Sequence, residues 1–237
     1  MLNWFIRFIT SSIGQKIIMS LTGLFLITFL IVHLVGNLQL LQDDGGQVFN
    51  EYAYFMTHNP LIKTVSYGLY FFILLHAVQG IALWQRNRKA RGGVGYAVKR
   101  TRAVGTSASA SKYMAQLGMV ILAFIIVHMV QFWAQMKFTD NVQVLAYPGY
   151  EEGVKDLYTL VAAAFTKPYF VVFYVASMIF IGFHLWHGFQ SAFQTLGLNH
   201  PKYTPFIKVL GKGLSVLIAF GFAVIPIWMY VTQTWMN

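Results

Sequence analysis

The sequence predicts an all-α membrane protein, five transmembrane helices in one bundle, with no second domain or internal repeat in residues 1–237. Three observations carry this. The chain is 57% hydrophobic and only 10% charged, more apolar surface than a soluble domain of this size can cover. Its apolar residues gather in five runs, each close to the roughly 20 residues that a helix needs to cross a hydrocarbon core. The charges between the runs are sorted by sign, as membrane topology demands.

The elements follow in order. Met1–Lys16 holds Arg7 and Lys16 but no small-residue cleavage site behind its apolar part, so it reads as retained and not as a signal peptide. The first span runs from Ile17 to about Leu41, the second from Val65 to about Gln85, and the third from Tyr113 to Met136. The fourth opens on Pro168, a favoured first-turn residue, and reaches about Ala192. The fifth runs from about Phe206 to Trp235, with a kink expected at Pro226. Lys89–Ser111 is basic and rich in Gly, Ser and Ala. Its Arg91-Gly92-Gly93-Val94-Gly95 has neither a strand before it nor Gly-Lys-Ser/Thr after it, so it reads as a flexible loop or docking surface, not a phosphate loop. In Asp140–Thr166, Val154, Leu157, Tyr158 and Val161 are spaced like one face of a short interfacial helix.

The loops set the expected orientation. Arg7 and Lys16 precede the first span; Arg86, Arg88, Lys89, Arg91, Lys99, Arg100, Arg102 and Lys112 lie between the second and third; Lys202, Lys208 and Lys212 follow the fourth. No acid accompanies them. All seven acidic residues, Asp43, Asp44, Glu51, Asp140, Glu151, Glu152 and Asp156, fall on the other side. The expected N-terminus is therefore cytoplasmic and the C-terminus outside. The net charge of +10 is explained by topology, and no basic patch interleaved with stacking aromatics points to nucleic acid. The absence of cysteine excludes iron–sulfur clusters held by this chain, covalent haem attachment and disulfides.

Four histidines stand in four of the spans: His33, His76, His128 and His184. Ionisable side chains are costly in hydrocarbon, and neutral imidazole is a common axial ligand of haem iron. At about 1.5 Å of rise per residue, His33 and His128 lie roughly 4–6 Å to the outer side of their midpoints. His76 and His184 lie to the inner side, which makes two levels about 10 Å apart. This spacing suits two haems b, each between two histidines. The bland alternative, a histidine bonded to a neighbouring carbonyl or serine, suits any one of them better than it suits four paired by depth. Gly23, Gly36, Gly80, Gly182 and Gly188 would leave room for a flat macrocycle in the same spans. His187, three residues after His184 on nearly the same face, competes with it as the ligand, or would meet a propionate or a quinone. His58 and His200 read as turn residues beside Pro60 and Pro201.

These residues resemble the single-polypeptide, five-helix dihaem cytochrome b anchor of succinate:menaquinone oxidoreductases and fumarate reductases. The likeness covers the first four spans: Ser20, Gly23 and His33 in the first, and His184 followed by Gly188 in the fourth, which favours His184 over His187. His76 and His128 match by position. The resemblance implies a subunit with no soluble chemistry of its own, multi-pass in the cell inner (cytoplasmic) membrane. It would anchor an iron–sulfur and a flavoprotein subunit, as a complex or a higher oligomer of it, and pass electrons between the iron–sulfur subunit and menaquinone. It implies a propionate contact at Ser20. Some relatives carry a glutamate where this chain has Gly182, and no span here holds Asp or Glu. An outer quinone site would draw on Asn37, Gln39, Asp43, Asp44 or Glu51, and an inner one on His187 and Gln190. The competing expectations are a dihaem cytochrome b of a hydrogenase or formate dehydrogenase, and a haem-free transporter or assembly protein whose histidines relay protons.

Overall fold

The computed structural model describes residues 2–91 and 108–235, so most of the Gly-rich basic loop lies outside the described residues. Helix α1 (Leu2–Thr10) turns at Ser11 into α2 (Ser12–Asn37), which a 3-10 turn (Leu38–Leu41) extends. Then come α3 (Gln47–His58) and α4 (Pro60–Arg91). Helix α5 (Ala108–His128) passes through a π-helical turn (Met129–Trp133) into α6 (Ala134–Phe138). Strands β1 (Val144–Leu145) and β2 (Val154–Lys155) pair antiparallel. Helices α7 (Leu157–Phe165), α8 (Pro168–Thr195) and α9 (Thr204–Trp235) complete the chain.

Five helical segments are long and apolar enough to cross a membrane: Ser12–Leu41, Pro60–Ala90, Tyr113–Phe138, Pro168–Thr195 and Thr204–Thr234. The chain is a multi-pass helical membrane protein. The second span starts earlier than the apolar run suggests, because Asn59 and Pro60 build a helix start: Asn59 Oδ1 accepts the Leu61 and Ile62 amides at 3.0 and 3.2 Å. Helix α9 continues through Pro226, which is buried.

Four helices form a square whose sides are α2–α4, α4–α5, α5–α8 and α8–α2. The diagonals, α2–α5 and α4–α8, have little direct backbone contact. Helix α9 lies outside the square against α8 and α2. Glycines let it approach: a Cβ at Gly182 would stand 3.2 Å from that of Ala219, and one at Gly211 or Gly221 would overlap Phe189 or Leu34. Ile218 and Met229 are its buried anchors, and they share the core with Tyr174, Met178 and Leu185 of α8. Helix α4 is the least enclosed: none of its most apolar stretch is buried within the chain, against 33% of that of α8.

A cap of α3, the β1–β2 hairpin and α7 closes one end, where α2 finishes and α4 begins. Its centre is a polar knot. Asn50, wholly buried, donates to Asp156 Oδ1 (3.0 Å) and Tyr147 Oη (3.3 Å) and accepts the Tyr158 amide (2.9 Å). Asp156 also caps α7 by accepting the Thr159 amide at 3.1 Å. The short helix expected here forms at Leu157–Phe165, but Val154 belongs to β2, not to the helix face, and is the most enclosed residue of the hairpin at 1% exposure. Gly46 opens α3 with φ of 86°, and a Cβ there would overlap the Tyr158 ring, so two constraints meet at one residue.

Candidate functional site

The histidine-bearing helices occupy the four corners of the square, and their rings meet across its diagonals. His33 of α2 and His128 of α5 have ring centroids 5.9 Å apart, with planes at 81°. His76 of α4 and His184 of α8 are 6.3 Å apart, with planes at 72°. Their helices have little backbone contact of their own, so each pair of side chains bridges an opening between opposite helices. Two imidazoles on opposite sides of one metal, each nitrogen about 2 Å from it, have ring centroids about 6 Å apart. The separations therefore fit a shared axial site.

Hydrogen bonding decides which ring nitrogen is free. Thr22 Oγ1 donates to the Ile18 carbonyl at 2.8 Å, so its oxygen accepts from His76 Nδ1–H at 3.0 Å. Tyr174 Oη donates to Gln131 Oε1 at 2.8 Å, and its oxygen faces His128 Nδ1 at a longer 3.5 Å. With the proton on Nδ1, both contacts would be hydrogen bonds and Nε2 would be left to ligate, the arrangement that orients metal-binding histidines. His33 differs: the Asn37 amide nitrogen donates to the His33 carbonyl at 2.7 Å and faces His33 Nδ1 at 3.2 Å. That favours the opposite tautomer, and Asn37 has to leave Nδ1 before His33 can ligate through Nε2. His184 Nδ1 is buried with no hydrogen-bond partner among the described residues.

The two levels have different walls. His33 and His128 stand in an aromatic box of Phe29, Phe124, Phe132, Tyr174 and Phe222. Phe29 and Phe124 stack on their histidines from one helical turn away. His76 and His184 are lined instead by glycine: a Cβ at Gly23 would stand 3.2 Å from His76 Cε1, and one at Gly118 would stand 3.9 Å from His184 Cε1. Gly188 faces open space. Of the glycines expected to leave room for a macrocycle, Gly36 accommodates the Tyr52 ring, Gly80 the Met19 methyl and Gly182 the α9 helix. Those three serve helix and side-chain packing. Position 182 is thus closed by α9. Tyr52, on α3, has its phenol pKa raised by burial.

The remaining expected site residues fall as follows. Ser20 is buried and donates to the Lys16 carbonyl at 2.9 Å. His187 is half-buried, and its ring meets no aromatic ring among the described residues, whereas that of His184 meets His76. Asp44, two residues before the Gly46 that opens α3, accepts the Gly46 and Val48 amides at 2.9 and 2.8 Å. Glu51 accepts from Gln47 Nε2 at 2.7 Å, and Asp43 is exposed. Gln39 Oε1, by contrast, is buried without a partner. Thr22, Tyr174 and Gln131 were missed by the sequence reading. Each is a hydrogen-bonding side chain inside an apolar span, the signal that would have marked it. No protein-family model matches the chain, and no curated protein and no solved structure matches it.

Proposed function

We propose that the chain is the dihaem cytochrome b membrane anchor of a succinate:quinone oxidoreductase. The observation that carries the haem reading is the crossing of both diagonals of one four-helix square by histidine pairs at about the spacing of a shared axial site. His33 and His128 would hold one haem b, and His76 and His184 the other. Two bound haems supply one-electron carriers between an iron–sulfur subunit and membrane menaquinone. The chain's own residues do the rest. Thr22 and Tyr174 fix imidazole tautomers, Gly23 and Gly118 clear space, and the aromatic box and cap keep water from the His33–His128 level.

The choice of dehydrogenase rests on the Ser20, Gly23, His33 and His184, Gly188 spacings. The positive-inside rule supports a cytoplasmic basic end, formed by α1, the end of α4 and the α8–α9 turn, which would face the iron–sulfur and flavoprotein subunits. The test is the reduced-minus-oxidised spectrum and the haem content of the purified protein. Two haems b per chain are expected, and a haem-free, stably folded protein would end the reading. Co-purification with a flavoprotein that reduces fumarate or oxidises succinate separates this anchor from that of a hydrogenase or formate dehydrogenase.

A further inference from the structure

The first described helix is not used by the histidine site. In α1 the residues Trp4, Phe5, Ile6, Phe8 and Ile9 share one broad arc of the helix, and Asn3, Arg7 and Thr10 share the narrow remainder. Only Ile9 is half-buried; Trp4, Phe5, Ile6 and Phe8 are 71%, 53%, 45% and 36% exposed. The helix is held firmly all the same. Ser11 Oγ donates to the Phe8 carbonyl at 2.6 Å and accepts the Gly14 amide at 3.0 Å. A Cβ at Gly14 would overlap the Phe8 carbonyl oxygen, so the elbow into α2 closes only over glycine. From α4, Arg86 Nη1 donates to the Thr10 carbonyl (3.2 Å) and to Gln15 Oε1 (2.7 Å).

We infer that α1 lies in the plane of the bilayer surface at the basic end of the bundle, with Trp4, Phe5, Ile6 and Phe8 sunk among lipid and Asn3 and Arg7 turned to water. Three observations select lipid as the occupant. The elbow is a single residue, so α1 sits at the depth where the membrane-spanning segment that begins at Ser12 enters the bilayer. The apolar arc covers more than half of the helix, wider than the stripe that one partner helix or groove covers, and a mixed face of Trp and Phe with a basic residue opposite is the pattern of interfacial helices. The neighbouring charges, Arg7, Lys16, Arg86, Arg88 and Lys89, are all basic with no acid on α1 or α2, which favours phosphate headgroups.

The chain holds no cysteine, so single cysteines can carry a nitroxide without other changes. Phe5→Cys and Phe8→Cys would be compared with Asn3→Cys and Arg7→Cys in the full chain, in discs of phosphatidylcholine and phosphatidylglycerol. Labels at 5 and 8 should be relaxed by oxygen and shielded from a water-soluble nickel chelate, and labels at 3 and 7 should show the reverse. Arg86→Ala should raise the mobility of the label at 8 while the label stays in lipid. Access of the nickel chelate to all four positions would overturn the inference. So would labels at 5 and 8 shielded from both reagents, since protein and not lipid would then cover the arc.

Discussion

The two histidine levels differ in what already surrounds them. At the His33–His128 level the protein supplies aromatic walls, and the buried cap closes the end. At the His76–His184 level Gly23 and Gly118 lie beside the rings, and His184 Nδ1 has no hydrogen-bond partner among the described residues. Each level nonetheless has one imidazole whose proton is directed to Nδ1: His128 by Tyr174 and His76 by Thr22. The lesson is that the same ligand type can be prepared in two ways. One level is shaped by packing and the other by the omission of side chains. A group bound at the first gains stacking partners, whereas at the second it would itself fill the core. The second level should therefore depend more on its occupant for stability.

The largest expected effect tests whether the levels are independent. On the proposed function, His33→Ala or His128→Ala should reduce the haem content from two per chain to one, and His76→Ala or His184→Ala should remove the complementary one, read by pyridine haemochrome assay and by which optical band disappears. Loss of both haems from each variant would mean one cooperative site. If His187→Ala empties the His76–His184 level while His184→Ala leaves it intact, the ring facing His76 has been misassigned.

Next in size is the cap. Asn50→Leu would strand the Tyr158 amide and remove a donor from Asp156 and Tyr147 around a wholly buried side chain. A loss of about 2–3 kcal/mol of stability is expected from orphaning buried groups. If the comparison is right, the spectrum of the His33–His128 level shifts and that of His76–His184 does not. Equal disturbance at both would mean that the cap supports the whole bundle and not one level.

The histidine proximities were legible in the sequence because rise per residue converts position into depth, and only two depths were occupied. The spans were legible because an apolar run of membrane length admits little else. The cap was not. Helix α3, QVFNEYAYFMTH, is half polar, and its anchor is a buried asparagine whose partners lie 97 to 108 residues away. No local pattern encodes such a contact. Helix α1 was hidden for another reason: a single serine separates it from α2, so Met1–Lys16 reads as one retained leading segment and not as a helix with an elbow behind it. The glycines were read as a class, yet whether one faces a ring, a methyl group or another helix is set by tertiary packing alone.

A smaller effect addresses the tautomer locks. Tyr174→Phe removes the oxygen facing His128 Nδ1, and Thr22→Val removes the one facing His76 Nδ1. Loss of such an outer partner usually costs about 10- to 100-fold in metal affinity. The shorter Thr22 contact should give the larger change. Each variant should alter the low-temperature electron paramagnetic resonance signal of its own level only. A Thr22→Val variant that perturbs the other level would show that the two rings are coupled through α2, which carries both Thr22 and His33.

The smallest effect is expected at Gly188, and its sign is informative. Nothing lies within 4 Å of where its Cβ would be, and it sits inside α8, where alanine is favoured over glycine by about 1 kcal/mol. If that space is empty in the working protein, Gly188→Ala should simply stabilise the chain. If a flat group fills it, as the glycine-lined level implies, the methyl group competes with that group. The haem-depleted protein should then melt at a slightly higher temperature while the loaded protein releases the His76–His184 haem faster. Gly23→Ala is the control, because its Cβ meets the His76 ring itself at 3.2 Å. It should displace the ligand in either case, and so weaken that haem without stabilising the haem-depleted chain. Equal stabilisation of both forms by Gly188→Ala would show that no bound group reaches the space beside Gly188, and that the contrast between the two levels lies in their walls alone.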